Sequence, residues 1–503
     1  MTGATKTNNS NRSGSTIPPP SSLALLAQPL TLPFSGKVIK NRFCKAALSE
    51  SLAGSNGQLE KQHLDRIVPL YDQWAAGGSG LILTGNVMVD RTMREMEHNV
   101  AVEDGRDLGR LKVWAETVHK HGAAIYAQIS HPGRQTYGHL TPNPVAPSAI
   151  PVSKFHPLIT MNPPRALTTE EIQQIIARFV KSSQTLYEAG FDGVELHAAH
   201  GYLISQFLNP RTNERTNDQY GGSLENRSRF LKEIVEGIQA VTPKEFSIGV
   251  KLNSCDFGRR RQQEKGKDGA VVVGGEEGKE GQDVVEESLE EAVKVAVMLE
   301  GLGVDFIEIS GGSYESFAAG LLDGKGIPDT PGDTKNKTKD PTTAADATAS
   351  TSTRTQKREA HFAVFAERIS RALKATKVIL TGGFVTAAAM TESLHPSSSS
   401  DNNTNNEGVH IDMVGLGRTI CQEPDLPNLI LSGTVTGAIR LPKTPGGFFD
   451  DVFICGGNIR RMANGKVPAV TLGTMAVSVY HYAYALDYSK AVVHRVKTLF
   501  CSS

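Results

Sequence analysis

The strongest constraint on the fold of this 503-residue chain is a repeated alternation between short apolar segments and longer amphipathic ones. Eight of the short segments are β-branched and largely apolar along their length, which is typical of parallel strands covered on their outer face. These segments are VIKNRFCKAAL (38–48), GLILT (80–84), AAIYAQI (123–129), FDGVELH (191–197), FSIGVKL (246–252), VDFIEIS (304–310), KVILTGG (377–383) and IDMVGLG (411–417). The alternation predicts an α/β fold of the (β/α)8 TIM-barrel type, with a doubly wound sheet as the alternative.

Helical patterns lie between these segments, and the stretch 167–190 shows the clearest one. Thr168 or Thr169 can cap its first turn, apolar residues recur at helical spacing, and Gly190 ends it. The stretches 225–241 and 288–303 have the same periodicity. We therefore expect a helix in each of the three places.

Composition excludes several classes of protein. Lys+Arg and Asp+Glu are both 53, so the net charge is zero and a nucleic-acid partner is not expected. The five cysteines form no C-x-x-C pair, which argues against a disulfide framework, a zinc site or an iron–sulfur cluster. No run of 18 apolar residues is present, so no membrane partner is expected. This usage fits a reducing compartment, and we expect a cytoplasmic protein.

Polar stretches divide the chain around the predicted barrel, which we place at residues 23–465. Residues 1–22 are rich in Ser, Thr, Asn and Pro and predict a disordered tail, with a transit peptide as the weaker alternative. Residues 466–503 predict a helical C-terminal extension. Three low-complexity insertions are expected at 259–285, 329–358 and 396–408. The first two follow the fifth and sixth strands, so we expect them near the carboxyl-end mouth of the barrel as flexible segments rather than a lid.

The stretch HAAHGY (197–202) is the first candidate site. Strand periodicity places Glu195 and His197 on one face, with His197 at the carboxyl end where barrel enzymes collect their catalytic groups. The small residues that follow allow a tight turn, so His200 and Tyr202 can face the same cavity. Two imidazole N–H groups can polarise one carbonyl oxygen, and a nearby phenol can protonate the adjacent carbon.

Two other interpretations of the histidine pair remain open at this point. An H-x-x-H pair is often structural, with both rings satisfied inside the protein. A metal site would need a third ligand, and the cysteines offer no obvious partner. The position at a strand end favours the carbonyl clamp over both.

Glycine-rich turns after the seventh and eighth strands form a second candidate site. TGGF (381–384) and GLGR (415–418) allow backbone N–H groups to approach an anion, and Arg418 adds a positive charge. Barrel folds often bind a phosphate at this position, so the two turns together favour a phosphorylated cofactor. The full dinucleotide motif GxGxxG is absent, so a Rossmann domain is not indicated.

The longer stretch HAAHGYLISQFLNPRTNERTNDQYGGSLENRSRF (197–230) closely resembles the signature of the old yellow enzyme family, the FMN-dependent ene-reductases and NADH:flavin oxidoreductases. Other segments resemble the family in its order and spacing: NRFCKAALSE (41–50), GGSGLILTGNVMVD (77–90), AAIYAQISHPGRQ (123–135), VAPSA (145–149), IGVKLNS (248–254) and DMVGLGR (412–418). The resemblance covers about residues 23–465 and implies a (β/α)8 barrel that holds FMN at the carboxyl ends of its strands.

The resemblance also implies roles for residues of this chain. Those that would contact the flavin ring are Ala46, Ala47, Leu48, Ser49, Asn86, Gln128 and Lys251. Lys251 would stabilise the anionic reduced flavin near its N1–C2=O edge. Those that would bind the phosphate are Gly383, Phe384, Gly417 and Arg418. His197 and His200 would bind the substrate carbonyl, and Tyr202 would donate the proton.

The implied reaction has two halves. NADPH or NADH reduces FMN and leaves, and an activated alkene such as an enone then receives hydride from flavin N5 and a proton from Tyr202. A flavin-dependent isomerase, another biosynthetic oxidoreductase, or a flavin-binding interaction protein with vestigial turnover are the alternatives. A homo-oligomer is compatible with this interpretation.

Two departures from the family pattern bear on function. Ser49 and Ser51 occupy the positions where some members carry a cysteine and a tyrosine, so redox tuning by that cysteine is not expected. The stretch 453–465 contains one cysteine instead of a four-cysteine cluster site, which argues against the fused architecture of dienoyl-CoA reductases.

Overall fold

Eight parallel strands close into a barrel in the computed structural model of the chain. The model describes residues 12–14, 16–152, 161–253, 279–310, 365–394, 411–439 and 448–468. The barrel strands are β1 (Phe43–Lys45), β2 (Leu81–Met88), β3 (Ala124–Ser130), β4 (Gly193–Ala198), β5 (Ser247–Asn253), β6 (Phe306–Ser310), β7 (Lys377–Thr381) and β8 (Met413–Leu416). Each pairs in parallel with its neighbours in chain order, and β8 pairs with β1, so the prediction of a TIM barrel is confirmed.

Helices cover the outside of the barrel. They span Pro20–Ala27, Lys61–Ala76, Leu108–His119, Thr169–Glu188, Leu203–Leu208, Leu224–Val241, Lys279–Gly301, 365–372, Ala387–Glu392, Arg418–Gln422, Leu426–Leu431 and Phe448–Ala463, with a 3-10 turn at Gly105–Asp107. The helix expected at 167–190 begins with a capping box, in which the Thr168 hydroxyl accepts from the Glu171 N–H at 3.2 Å. The Ser223 hydroxyl caps the next predicted helix through the Asn226 N–H at 3.3 Å. These two caps fix where the helices begin.

Small strands lie outside the eight. Leu30–Thr31 pairs antiparallel with Val38–Ile39, Val100–Ala101 adds to β2, and Val145–Ala146 pairs with Arg165–Ala166. The expectation of one strand over 38–48 is therefore wrong, because its first residues form a separate hairpin. Lys37 and Lys40, on either side of Val38–Ile39, donate to the Asp192 carboxylate and to the His121 carbonyl. These contacts hold the hairpin apart from β1.

Part of the predicted disordered tail is ordered against the barrel, which corrects the expectation for 1–22 at its C-terminal half. The buried Arg12 guanidinium donates to Glu423 Oε1 at 2.6 Å and to the Gly437 carbonyl at 2.9 Å. An ion pair that joins residues 411 positions apart leaves no trace in local composition.

The remaining domain boundaries are only partly within the described residues. The helix Lys279–Gly301 begins inside the stretch 259–285 that the sequence assigns to the first insertion. Residues 254–278, the insertions at 329–358 and 396–408, and the extension beyond residue 468 lie outside the described residues.

Candidate active site

A cavity of about 140 Å³ opens at the carboxyl ends of the barrel strands. Eight residues that the sequence assigns to the site line it, together with one that it does not. The lining residues are Ala47, Ser49, Asn86, Gln128, His197, His200, Tyr202, Lys251 and Glu95. Five different strand ends or the loops after them supply this lining, as the barrel topology requires for groups that are far apart in sequence.

The two histidines and the tyrosine pack against each other on one side of the cavity. The ring centroids of His197 and His200 are 5.0 Å apart, and those of His197 and Tyr202 are 4.7 Å apart, both in edge-to-face arrangements. His197 Nδ1 accepts a hydrogen bond from the Ala199 N–H at 3.3 Å. That bond places the proton of the neutral ring on Nε2, which makes Nε2 a donor.

His200 occupies a strained turn that its neighbours hold in place. Its φ of 58° lies in the left-handed region that non-glycine residues rarely adopt. Asn253 Oδ1 accepts from the His200 N–H at 3.1 Å, and Gln135 Nε2 donates to the His200 carbonyl at 2.8 Å. The ring itself meets the Ser310 hydroxyl, with Nε2 and Oγ 3.0 Å apart. Two strand ends and the loop after β3 therefore fix the position of this residue.

Both imidazoles are neutral at neutral pH. Burial, then the neighbouring His200 and Lys251, lowers the pKa of His197 well below its usual range. Burial and then Lys251 lower the pKa of His200 to about 3. The pair therefore offers hydrogen-bond donors that carry no charge, which suits the polarisation of a neutral carbonyl.

A layer of charged and polar side chains lies directly beneath the histidines, inside the barrel. Lys251 Nζ donates to Glu308 Oε1 at 3.0 Å, and both side chains are almost completely buried. Burial acts to lower the pKa of the Lys251 ammonium, but the carboxyl groups of Glu308 and Glu195 outweigh it and raise the pKa. Gln128 Nε2 donates to Glu195 Oε2 at 2.6 Å. Lys251 thus remains a fixed cation at the wall of the cavity.

Asn86 and Glu95 form another part of the cavity wall. The Asn86 side-chain amide donates to Glu95 Oε2, and the Ser49 hydroxyl lies 3.5 Å from the same oxygen. This contact turns the Asn86 amide so that its nitrogen faces Glu95, and its buried Oδ1 has no hydrogen-bond partner among the described residues. A buried amide oxygen without a donor destabilises the fold, so this atom points to a ligand that supplies a hydrogen bond.

The glycine-rich turns lie together at one side of the same barrel end. Thr381 of β7 pairs with Gly415 of β8, so Gly383 and Phe384 leave one strand beside the point where Gly417 and Arg418 leave the next. Gly382 and Gly383 have φ values of 124° and 80°, which favour glycine. A Cβ atom added to Gly382 or Gly417 would meet no atom within 4 Å. Both turns therefore border open space.

The remaining two predicted flavin contacts lie on the segment after β1. The Ala46 N–H donates to the Leu416 carbonyl at 2.9 Å, which fixes Ala46 beside the end of β8. Leu48 is half-buried against the main core, and its carbonyl oxygen crowds Gly85 so closely that a Cβ there would lie 2.4 Å from it. The segment is thus held close to β2, with Ala47 and Ser49 at the cavity.

Sequence reasoning missed four groups that support the site: Glu95, Asn253, Glu308 and Ser310. Three of them had a signal, because the ends of β4, β5 and β6 read VELH, VKLN and IEIS, with a polar residue at every second position. Strand periodicity sends those residues into the barrel with Glu195 and His197. Glu95 had no such signal, since it lies in a loop.

A larger concavity, about 280 Å³, lies at the opposite, amino-terminal end of the barrel. The Asp305 carboxylate that borders it accepts from the N–H groups of Phe34 and Ser35 at 2.8 and 3.1 Å. Its polar groups thus serve the backbone, which is the structural role expected of that end of a barrel. The smaller cavity is therefore the candidate active site.

Sequence comparison shows which family the chain belongs to. A model of the NADH:flavin oxidoreductase / NADH oxidase family matches residues 26–300. The chain belongs to this family. The NADH-dependent flavin oxidoreductase nadA of Aspergillus parasiticus is 33% identical over 422 residues, which cover 82% of this chain and 80% of that protein. The NADH-dependent flavin oxidoreductase iliE of Hypocrea jecorina is 31% identical over 420 residues, which cover 80% of this chain and 88% of that one.

The resemblance to the old yellow enzyme family is thereby confirmed, and the protein is an NAD(P)H-dependent flavin oxidoreductase. The fold is similar to that of morphinone reductase, at 24% identity and a TM-score of 0.56, over 86% of this chain and 93% of that one. It is equally similar to the old yellow enzyme homologue from Zymomonas mobilis, at 22% identity and a TM-score of 0.56, over 84% and 98% of the two chains.

The family implies FMN, and the residues present fit it. The cavity offers a buried cation at Lys251 and an acceptor at Asn86 Oδ1 that lacks a partner among the described residues, which suit a polar heterocycle. The two glycine turns at the same end of the barrel border open space, which suits a phosphate. Within the described ranges, no three His, Cys, Asp or Glu side chains are arranged to hold a metal ion, so the metal interpretation gains no third ligand. No helix in that part of the chain is long and apolar enough to cross a membrane.

Proposed function

We propose that the protein reduces the activated C=C bond of an enone-like substrate, with NADH or NADPH as the electron donor. The observation that carries this proposal is the placement of His197, His200 and Tyr202 in one cavity with Lys251 and Gln128. Carbonyl-polarising donors and a phenol thus border the same space as the groups that suit a flavin.

FMN would be held by the groups that the family resemblance indicates. Lys251, Gln128 and Asn86 would hold the ring together with the segment from Ala46 to Ser49, and Gly383, Phe384, Gly417 and Arg418 would hold the phosphate. When bound, FMN would supply the hydride chemistry that links the nicotinamide to the alkene.

The histidines would bind and polarise the substrate. His197 Nε2–H donates to the carbonyl oxygen, and neutral His200 provides the second donor. As negative charge develops on that oxygen, the two N–H groups stabilise it in a site that largely excludes water. The withdrawal of charge makes the β-carbon of the enone electrophilic.

The tyrosine would complete the reaction. The Tyr202 ring stacks edge-to-face on His197, and the side chain is almost completely buried. Its hydroxyl would donate a proton to the α-carbon, which lies one bond from the carbonyl carbon that the histidines orient. Its fixed position relative to the held oxygen would make this group effective.

Anaerobic half-reactions test the proposal. The purified full chain should contain FMN, and NADH or NADPH should bleach its yellow colour. Addition of 2-cyclohexen-1-one should restore the oxidised spectrum and yield cyclohexanone, while the saturated ketone restores nothing. A protein that binds no FMN would contradict the proposal. A flavin that the nicotinamide bleaches but that no member of a panel of enones re-oxidises would favour a binding role or another reaction.

A further inference from the structure

Two buried carboxyl groups lie side by side in the middle of the barrel, directly beneath the proposed flavin site. Glu195 on β4 and Glu308 on β6 are both fully buried. Between their strands, Gly249 of β5 carries no side chain at the level of Glu195, and the next inward residue is Lys251. This gap on β5 allows side chains from β4 and β6 to meet across it.

Two of the four carboxyl oxygens of this pair accept a hydrogen bond from a neighbouring side chain, and the other two require a proton held between the carboxyl groups. Lys251 Nζ donates to Glu308 Oε1 at 3.0 Å, and Gln128 Nε2 donates to Glu195 Oε2 at 2.6 Å. The remaining oxygens, Glu195 Oε1 and Glu308 Oε2, are buried without an N–H or O–H donor among the described residues. The two carboxyl groups nevertheless lie within hydrogen-bonding reach of each other. One proton between them satisfies both remaining oxygens.

We propose that Glu195 and Glu308 share one proton, held by Glu195, so that the pair presents a single negative charge to Lys251 and fixes the Gln128 amide with its oxygen toward the cavity. Both glutamates are then positioning residues, since neither lines the cavity. The significance of this network for the flavin rests on the proposed function, but the shared proton does not.

The surroundings favour this distribution of charge. Burial and then the charge of Glu308 raise the pKa of Glu195 well above its usual range. Burial acts to raise the pKa of Glu308 too, but Lys251 outweighs it and lowers the pKa. Two adjacent carboxylates in a dry interior cannot both ionise with only one cation beside them. Glu308, which faces the ammonium directly, therefore keeps the negative charge.

Lys45 on β1 is a second buried cation that senses Glu308. Its Nζ donates to the Leu83 carbonyl at 2.7 Å and lies over the Trp74 ring, so it pairs with neither carboxyl group.

The other described groups that face the pair carry no positive charge. Cys44 on β1 faces both carboxyl groups, and burial followed by their charges raises the pKa of its thiol well above the usual range, so it stays neutral. Thr381 on β7 carries a hydroxyl near Glu308, but its Oγ1 has no hydrogen-bond partner among the described residues, and it adds no charge. His200 also senses Glu308 but is neutral, with a pKa of about 3.

The position of the proton on Oε1 rather than Oε2 of Glu195 has a consequence for the cavity. With its proton on Oε1, Glu195 offers Oε2 only as an acceptor, so Gln128 must turn its NH2 group downward and its carbonyl oxygen upward. Asn86 Oδ1 is likewise an acceptor, whereas Lys251 is a donor. The wall of the cavity therefore presents two amide acceptors and one cationic donor, a pattern that selects a ring edge with both N–H and C=O groups.

An infrared spectrum of the wild-type holoenzyme tests the shared proton directly. At neutral pH the full chain should show the C=O stretching band of a protonated carboxyl group, and the band should shift when the glutamates are labelled with carbon-13. It should vanish in Glu195→Gln, where an amide N–H replaces the carboxyl proton. The absence of the band from the wild-type spectrum would overturn the proposal even if the variant failed to fold. The band does not depend on turnover, so failure to reduce enones would leave this result unchanged.

The midpoint potential of the bound FMN provides the second test. Glu195→Gln and Glu308→Gln should each keep the wild-type potential, because in either variant one carboxylate remains and the proton is no longer needed. If both groups were ionised in the wild type, each substitution would remove a negative charge and raise the potential, which would contradict the proposal. The double variant should raise the potential or weaken FMN binding, since Lys251 then has no counter-charge.

Glu291→Gln is the matched control for stability. Glu291 is also a buried glutamate with one cationic partner, Arg227, whose Nη2 lies 2.6 Å from its Oε1. Glu291→Gln leaves the buried Arg227 without a carboxylate, because no second carboxyl group can ionise in its place, so the unfolding temperature should fall. Glu195→Gln and Glu308→Gln should each lower it less. Equal losses in all three variants would contradict the shared proton.

Discussion

The interior of the barrel consists of two layers that differ in kind although the same strands build them. The lower layer is apolar and contains Leu81, Leu83, Tyr126, Phe306, Ile379 and Met413. The upper layer, two residues further along the strands, contains Gln128, Glu195, Lys251 and Glu308. Tyr126 is followed by Gln128 on β3, and Phe306 by Glu308 on β6, so a shift of one pleat changes the environment completely.

The difference shows where the barrel gains stability and where it gives stability up. In the lower layer, the Tyr126 and Phe306 rings meet edge-to-face at 5.5 Å, and the Phe306 ring fills the space above Gly249. In the upper layer, Glu195 Oε1 and Glu308 Oε2 have no donor among the described side chains and backbone, and His200 just above them adopts a strained backbone conformation. Such costs concentrate where a protein binds ligands, because groups that a ligand must satisfy cannot also be satisfied internally.

The largest expected effect is the loss of stability when a side chain of the lower layer is truncated. We expect Phe306→Ala to destabilise the fold by about 3–5 kcal/mol, because it leaves a cavity between β5 and β6 that the rigid barrel cannot close. Chemical denaturation, followed by circular dichroism, measures this loss. Val297→Ala on the exposed side of a helix is the control and should change stability by at most about 0.5 kcal/mol. Similar effects of the two substitutions would contradict the division into layers.

Substitution of a histidine above the upper layer should affect the rate of the enone reaction rather than stability. We expect His197→Ala to slow re-oxidation of the reduced enzyme by an enone by about 10²–10³-fold, because one carbonyl donor is lost. Reduction by NADH should change less, and stopped-flow absorbance of the flavin separates the two steps. His197→Asn keeps an N–H donor and should recover part of the rate. Equal rates for the Asn and Ala variants would argue against the donor role.

A smaller effect is expected at Ser310. Its hydroxyl lies 3.0 Å from His200 Nε2, so Ser310→Ala removes one bond that orients the ring. A hydrogen bond of this type contributes about 0.5–1.5 kcal/mol, so the enone step should slow by at most about tenfold. Ser310→Thr keeps the hydroxyl and serves as the control. A loss of more than about a hundredfold in Ser310→Ala would indicate that Ser310 does more than orient the ring.

The smallest effect concerns pH. Because the folded-state pKa values of both histidines lie below the ordinary 6.5, the rate of enone binding should show no histidine ionisation between about pH 5 and pH 8. Stability behaves differently. The unfolded chain takes up these protons first, so stability should fall as the pH drops below 6.5 toward the folded-state values, and the His197→Asn/His200→Asn double variant should lose less. A rate that titrates near pH 6.5 in the wild type alone would contradict the neutral clamp.

The fold was largely predictable because parallel strands buried on both sides carry a continuous apolar signal. All eight predicted strands are present. The bounds of the strands were less predictable where hydrogen bonding rather than side-chain character sets where a strand begins. Within 38–48, only Phe43–Lys45 pairs with the barrel. The ordered residues around Arg12 could not be foreseen, since the ion pair with Glu423 depends on the finished fold.

The candidate site was predictable in part for a related reason. The clamp residues lie close in sequence at the end of one strand, so their proximity follows from local structure. Glu95 comes from a loop whose path depends on its contact with Asn86. The meeting of Glu195 with Glu308 depends on two strands separated by a third, which only the closed barrel reveals.

The central claim is that Tyr202 protonates a substrate whose carbonyl the histidines hold, and Tyr202→Phe tests it most directly. The substitution removes the hydroxyl but keeps the ring that packs on His197. Stopped-flow measurement of both half-reactions should show that NADH reduces the flavin at a rate close to that of the wild type. Re-oxidation by 2-cyclohexen-1-one should slow by about 10²–10⁴-fold, the range for loss of a general acid. Equal slowing of both half-reactions, or an unchanged enone step, would contradict the account.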